Sequence, residues 1–434
     1  MPIPTARLVA LAAAASVAVL FIPGRPPIGI LAVNAVLLIT AAIDAWLAPD
    51  PATVAVDRTL PATLTLGGTC GVVRWAVGNP SHRRLHVAVA DELAPSLRPT
   101  ARRLALTVPP HATLVAEATV TPSRRGRFEP TQIVVRVDGP AGLAARQARR
   151  QLAGRLRVLP AFPSRREADV RIERALTIGI RSARGRGSGT EFDSLREYGV
   201  DDEFRRIDWS ATARMGRAIV RTYRAERNQQ VVVLLDTGRG SAGRVAGVPR
   251  LEHAMDAAMA LVAVGCGVGD RCGLVAFDRD IRAVVPPGSG AAQLGRVVEA
   301  LYELAPRLVE SDYRAAFTAT LARFRRRSLL VVITELTEEA LAETLLPALG
   351  LLLSRHIVIV AAVADPDIAR WEAAIPVDAT ETFRNAAAAQ SVARRGSAAA
   401  RLRQAGVIVI DAAPLVLAGR LADTYLDLKA TGRL

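Results

Sequence analysis

The sequence predicts a three-part chain: a helical membrane hairpin, a small β-sandwich-like module and a doubly wound α/β domain. Three observations predict it. Two long apolar runs near the N-terminus are separated only by Pro23-Gly24-Arg25-Pro26-Pro27. From Pro51 to about Leu159, apolar and polar residues alternate at period two in short runs broken by Pro, Gly and Asn. From Gln229 onward, buried-type strands alternate with helical stretches, the pattern of a parallel sheet covered on both faces.

The membrane end comes first. Residues 6–22 and 28–47 would span about 26 and 30 Å as helices, against a hydrocarbon core of about 30 Å. The intervening break is short, so the two are expected to form a hairpin, residues 1–49, with Trp46 at an interface. Asn34 and Asp44 are its polar members, and Asp44, one turn from the end, can snorkel toward water and is not read as a proton site. Phe21-Ile22-Pro23 is a poor cleavage site, which favours uncleaved anchors over a signal peptide. Both termini are placed inside, giving a protein of the cytoplasmic (inner) membrane with two spans and its soluble parts on the cytoplasmic side.

Residues 50–160 follow as the β-rich module. Seven runs, from Ala52-Thr53-Val54 to Thr131-Gln132-Ile133, read as strands of a small antiparallel sandwich. His82, His86 and His111 fall here without Cys or carboxylate at metal spacing, so they read as exposed or hydrogen-bonded histidines.

Charge is concentrated in one place. The chain carries 56 Lys+Arg against 41 Asp+Glu, a net charge of +15. Between residues 144 and 187, the twelve arginines from Arg146 to Arg186 face only Glu167, Asp169 and Glu173. Such a stretch suits anionic lipid, an acidic partner or nucleic acid, although no nucleic-acid motif accompanies it. Lys429 is the only lysine, so no Walker A loop exists, and the HExxH and GxSxG signatures are missing too. Three cysteines, Cys70, Cys266 and Cys272, cannot build a disulfide framework.

Residues 161–228 read as an arginine-rich joint followed by a charge-balanced segment. From Ser188 to Asn228, acids and arginines interleave with Phe192, Leu195, Tyr198, Phe204, Ile207, Trp209 and Tyr223. Aromatic anchors beside alternating charge suit planar, bidentate pairs on a partly buried surface, either an internal strut or a partner-docking face. The residues singled out for docking are Glu191, Arg196, Tyr198, Asp202, Arg205, Asp208, Trp209 and Arg214. Glu191-Phe192, Leu195-Arg196-Glu197-Tyr198, Asp202, Arg205, Ile207-Asp208-Trp209 and Ala213-Arg214 closely resemble the signature of the "domain of unknown function 58" family. Arg125-Gly126-Arg127-Phe128 and Asp138-Gly139-Pro140-Ala141-Gly142-Leu143 resemble two upstream elements of the same family. Where that family usually has Pro-Gly-Asp, this chain keeps only Asp202 after Val200-Asp201.

With that signature in front of it, the α/β domain at residues 229–434 resembles a von Willebrand factor A-type domain. The resemblance implies a divalent-cation site built on Asp-x-Ser-x-Ser, a threonine and a further aspartate, suited to Mg²⁺. Here Asp236-Thr237-Gly238-Arg239-Gly240 keeps the aspartate and loses both serines, with Ser311 and Glu335 as stand-ins and Arg239 alongside. The site is read as degenerate: no cofactor is expected at it, with Mg²⁺ as the alternative. The resemblance also implies a partner, a MoxR-type AAA+ ATPase, and a role for this chain as a membrane-anchored, non-enzymatic scaffold in protein complex assembly or maturation. The alternatives are basic binding to anionic lipid or nucleic acid, or a hydrolase built around Asp236. No nucleophile, base and orienting group fall into a motif, so no enzyme is expected.

Overall fold

The computed structural model describes residues 2–19, 26–184, 191–199, 202, 204, 207–224, 229–336 and 344–434. The chain divides into two compact units, Met1–Leu159 and Pro160–Leu434.

In the first unit, helix α1 (Ala6–Val19) and helix α2 (Pro26–Leu47) lie side by side. Asn34 Nδ2 on α2 reaches Ser16 Oγ on α1 at 3.4 Å. At Gly29 a Cβ would come within 2.7 Å of Val19 Cγ1, so the contact depends on a residue without a side chain. Of the first apolar run, residues 6–19 form α1 and residues 20–22 lie outside the described residues. Among the described residues, one helix, Pro27–Leu47, is long and apolar enough to cross a membrane. Asp44 does not snorkel. It is buried and accepts from the backbone N–H groups of Ala141 at 2.7 Å, Leu143 at 2.8 Å and Ala144 at 2.9 Å. A carboxylate at an apolar helix's end finds its donors in a turn of the β-rich part rather than in water.

The rest of that unit is β-structure. Its strands are β1 (Pro2–Pro4), β2 (Ala55–Thr59), β3 (Thr63–Thr65), β4 (Gly71–Gly78), β5 (Leu85–Asp91), β6 (Arg103–Val108), β7 (Thr113–Val120), β8 (Gly126–Phe128), β9 (Gln132–Asp138), β10 (Ala144–Gln151) and β11 (Leu156–Leu159). They form a sheet ordered β1-β10-β9-β5-β6 and two three-stranded sheets, β2-β4-β7 and β3-β11-β8. Strands β1, β8, β10 and β11 lie beyond the seven runs read from the sequence. In β10 the alternation is hidden because arginine and glutamine occupy both faces after Ala144 and Ala145. Val56 and Val77 from one sheet share a core with Val87, Val89, Val135 and Val137 from another. The sixteen residues from Ala144 to Leu159 therefore belong to this module rather than to a free basic joint.

The second unit opens with helix α3 (Arg165–Arg184), which packs on later helices. Next come strand β12 (Glu191–Glu197), helix α4 (Trp209–Met215) and strand β13 (Ile219–Arg224). The central sheet comprises β14 (Gln230–Asp236), β17 (Arg271–Phe277), β18 (Ile281–Gly288), β19 (Leu329–Ile333), β20 (Ile357–Val363) and β21 (Ile408–Ala412). A small ribbon of β15 (Arg244–Val245) and β16 (Val248–Pro249) follows β14. The spatial order is β18-β17-β14-β19-β20-β21, parallel throughout except for β17 against β18. The helices are α5 (Arg250–Gly267), α6 (Ala291–Leu301), α7 (Tyr313–Arg323), α8 (Leu346–Leu353), α9 (Pro366–Ala373), α10 (Ala379–Gln404) and α11 (Pro414–Ala430). The sequence pattern predicts a helix near Glu338–Ser354, of which residues 338–343 lie outside the described residues.

Period two separates the faces of this sheet. Val231, Val233 and Leu235 pack with α3, α5, α6 and α11. Val232 and Leu234 pack with α7, α8 and α10. All five side chains are fully buried, which is why β14 reads as an unbroken apolar run. α3 joins the first layer through Ala168 and Ile172, and Ser164 at its foot donates to the buried Asp256 carboxylate at 2.6 Å. The segment 161–228 is thus part of the α/β unit. Lys429, alone of its kind, closes on the buried Asp270 at 2.5 Å.

Candidate functional site

β14 has β17 on one side and β19 on the other, and the chain reaches them through helices on opposite faces. The carboxyl end of β14 is therefore the topological switch point, where open α/β sheets leave a crevice. Asp236 is the last residue of β14 and is buried there.

Its carboxylate takes four donors. Oδ1 accepts from Gly238 N at 2.8 Å and Ser311 Oγ at 2.5 Å. Oδ2 accepts from Thr334 Oγ1 at 2.6 Å and Tyr313 OH at 3.0 Å. The Tyr313 and Thr334 hydroxyls also lie 2.8 Å apart, and Ser241 Oγ holds the Asp236 carbonyl at 2.5 Å. Burial, reinforced by Asp236, pushes the Tyr313 phenol well above its ordinary range, so it remains a protonated donor.

The structure brings Asp236 and Ser311 together and commits Glu335 elsewhere. Glu335 pairs with Arg250 at 2.8 Å and with Arg395, which also holds Asp411 at 2.7 Å. Burial pushes the Glu335 carboxyl up, while Arg395 and Arg250 pull it down. A Cβ at Gly238 would sit 2.1 Å from Ser311 Oγ, so the hydroxyl of Ser311 occupies the room that a serine at 238 would need. Arg239, alongside in the sequence, turns to Glu310 at 2.7 Å. Among the described residues, no three or more His, Cys, Asp or Glu side chains gather where they could hold a metal ion. One carboxylate filled by protein donors, and a second held between guanidinium groups, do not fit a divalent cation in this arrangement. Tyr313, Thr334 and the Arg250–Glu335–Arg395 chain were not picked out from sequence. Only Thr334, adjacent to Glu335, had a local signal; Arg395 lies 60 residues from its partner.

The signature segment builds a second feature. β12 and β13 form an antiparallel hairpin, and α4 sits in their connection. Asp208 is buried and caps α4, its Oδ1 accepting from Ser210 N and Ala211 N at 3.0 Å each. Arg196 meets Asp202 in a bidentate pair, at 2.7 and 2.5 Å, and Asp202 also accepts from Gly199 N at 2.8 Å. These three residues shape the unit. Tyr198, Trp209 and Arg214 are exposed instead. Trp209, 61% exposed, packs edge-to-face on Phe204, 67% exposed, with ring centroids 5.5 Å apart. Leu195 and Met215 add further exposed apolar surface. Glu191 opens β12 opposite Arg224, and Arg205 lies outside the described residues. Of the charges singled out in sequence, Arg196 and Asp202 thus serve a turn and Asp208 a helix cap, beside an exposed aromatic pair.

Curated relatives include the uncharacterized protein Rv1480 of Mycobacterium tuberculosis and the uncharacterized protein Mb1516 of Mycobacterium bovis. Each is 27% identical over 151 residues, covering 34% of this chain and 48% of the relative. The chain thus spans about half the length of the curated relatives it matches. Similar solved structures include the conserved hypothetical protein BatB from Bacteroides thetaiotaomicron, at 17% identity and TM-score 0.30, covering 46% of this chain and 99% of that one. The vWF domain of the type V pili tip protein Mfa5 from Porphyromonas gingivalis is 15% identical at TM-score 0.21, covering 26% and 39%. Proximal thread matrix protein 1 from the mussel byssus, with a zinc-occupied MIDAS motif, is 11% identical at TM-score 0.28, covering 47% and 46%. Residues 194–405 match the family described as "Protein of unknown function DUF58". That match runs from the paired strands of the signature through β20 of the six-stranded sheet and takes in just under half of the chain.

Proposed function

We propose that this protein is a membrane-anchored, non-enzymatic interaction scaffold whose docking face is the aromatic edge of the β12–α4–β13 unit. One observation carries the reading: Trp209 and Phe204 are more than half exposed, yet the elements beneath them are tied down by the Asp208 cap and the Arg196–Asp202 pair. Rigid exposed aromatics beside arginine are the composition of an interface centre. Asp236, whose oxygens are taken up by four donors, supports a hydrogen-bonded lock at the switch point rather than a reaction centre. In this reading α2 crosses the cytoplasmic membrane with α1 beside it, and the soluble units face the cytoplasm. The family resemblance makes a MoxR-type AAA+ ATPase the partner, which would supply the nucleotide hydrolysis that a chain without a Walker lysine cannot.

The test is capture of such an ATPase by the full chain in detergent, compared with Trp209→Ala and Phe204→Ala. Both substitutions lie on exposed positions and should change stability by only about 0.5 kcal/mol. Each is expected to weaken capture about tenfold or more, the cost of losing an aromatic anchor of about 2 kcal/mol. Capture equal to wild type in both variants would overturn this docking face; no capture by the wild type would overturn the partner.

A further inference from the structure

We propose that His82 and His111 form a two-histidine site for a divalent transition metal, Cu²⁺ or Ni²⁺. The two residues lie in different connections of the first unit, His82 between β4 and β5 and His111 between β6 and β7. His111 Nε2 and His82 Nδ1 are 2.8 Å apart, with ring centroids 4.5 Å apart and planes at 73°.

The two loops are fastened to each other beneath the rings. Asn79, buried, donates to the carbonyls of Arg83 at 2.7 Å, Val108 at 3.1 Å and Pro109 at 2.9 Å. Its Oδ1 accepts from Ser81 N at 2.9 Å, and His111 N donates to Ser81 O at 3.3 Å. His111 itself has φ +51°, in the left-handed region. That conformation costs a residue with a Cβ about 1–2 kcal/mol. Such a cost persists where the surroundings hold a side chain in a required place. Here it turns the His111 ring onto His82.

The ring geometry selects the metal. An imidazole nitrogen lies about 1.1 Å from its ring centroid, so a hydrogen bond running straight between the rings would separate the centroids by about 5.0 Å. The shorter observed separation means that the rings are canted off the straight nitrogen–nitrogen line. Two imidazoles meeting one ion at about 2.0 Å and a right angle would place the nitrogens about 2.8 Å and the centroids about 4.4 Å apart. At the tetrahedral angle the same bonds would give about 3.3 and 5.1 Å. The observed 2.8 and 4.5 Å match the right-angle pair. Right-angle nitrogen ligation belongs to tetragonal Cu²⁺ and Ni²⁺. Both rings are exposed, so solvent can fill the remaining positions. His86 lies nearby on β5 but turns to Thr107 Oγ1 at 3.0 Å, which makes it the control.

The experiment uses the untagged full chain in detergent, titrated with CuCl₂ and followed by electron paramagnetic resonance. One Cu²⁺ per chain should bind, with splitting from two imidazole nitrogens. His82→Gln and His111→Asn should each weaken binding by about tenfold or more, and His86→Gln should leave it unchanged. Asparagine is chosen at 111 because it accepts the left-handed conformation, and a thermal melt checks that each variant is folded. Failure of the wild type to bind Cu²⁺ would overturn the site. So would binding that persists unchanged in His82→Gln and His111→Asn.

Discussion

Removing the Asp236 carboxylate tests whether the switch-point crevice is a hydrogen-bonded lock or a cation site. In Asp236→Ala four donors lose their acceptor. Tyr313 and Thr334 can still bond each other across 2.8 Å, but the Gly238 N–H and the Ser311 hydroxyl cannot recover so simply. Two orphaned donors at about 1–3 kcal/mol each give a loss of about 4 kcal/mol. For a unit of this size, about 2–4 °C per kcal/mol turns that into a fall in Tm of roughly 8–16 °C. Asp236→Asn should cost less, about 1–2 kcal/mol. Its oxygen can still face Gly238 N and Ser311, while the Tyr313 and Thr334 hydroxyls rotate to accept from its amide. The assay is thermal unfolding of the full chain in detergent, with and without Mg²⁺. A site with Kd of about 0.1 mM in about 10 mM Mg²⁺ would add about 2.7 kcal/mol of stability. The lock predicts no such gain. A Tm rise of several degrees in Mg²⁺, present in the wild type and absent from Asp236→Asn, would refute it, as would an Asp236→Ala protein that melts like the wild type.

Two further outcomes follow from the same kind of geometry. Asp44→Ala should destabilise the first unit by about 2–4 kcal/mol, because three backbone donors of the 141–144 turn lose one carboxylate; Gly139→Ala should do similar damage, since its Cβ would lie 2.5 Å from Asp44 Cγ. Amide hydrogen exchange across residues 139–146 reads both, and unchanged protection would contradict the assignment. Burial holds the His356 imidazole below its ordinary value of 6.5. As pH falls, the unfolded chain therefore binds the proton first, so stability is full above pH 6.5, declines as pH drops toward the depressed folded value and is flat below it. His356→Gln should flatten that part of the Tm–pH curve, and an unchanged slope would assign it to another group.

The α/β unit was legible from sequence because its determinants are local. β14 is apolar at every position from Val231 to Leu235, the mark of a strand covered on both faces. The β-rich module was legible only in part. Strands such as β4 alternate cleanly between buried and exposed, whereas β10 carries arginine and glutamine on both faces and its pairing with β9 and β1 is a nonlocal fact. The signature segment announced its residues without their roles. Asp202 and Asp208 look equally available for docking, yet one closes a turn on Arg196 and the other caps α4.

The sequence by itself determined the two-sided burial of the central sheet, the apolar N-terminal helices and the absence of a Walker lysine. Each depends on residue type or on spacing within one element. Only the tertiary structure decided what the isolated polar groups do. Asp236 meets Ser311, Tyr313 and Thr334 because β14 ends at the switch point, Glu335 meets Arg250 and Arg395 across three elements, and Asp44 is met by a turn 97 residues away. A buried polar side chain must find its partners wherever folding brings them, and no local pattern along the chain encodes that distance.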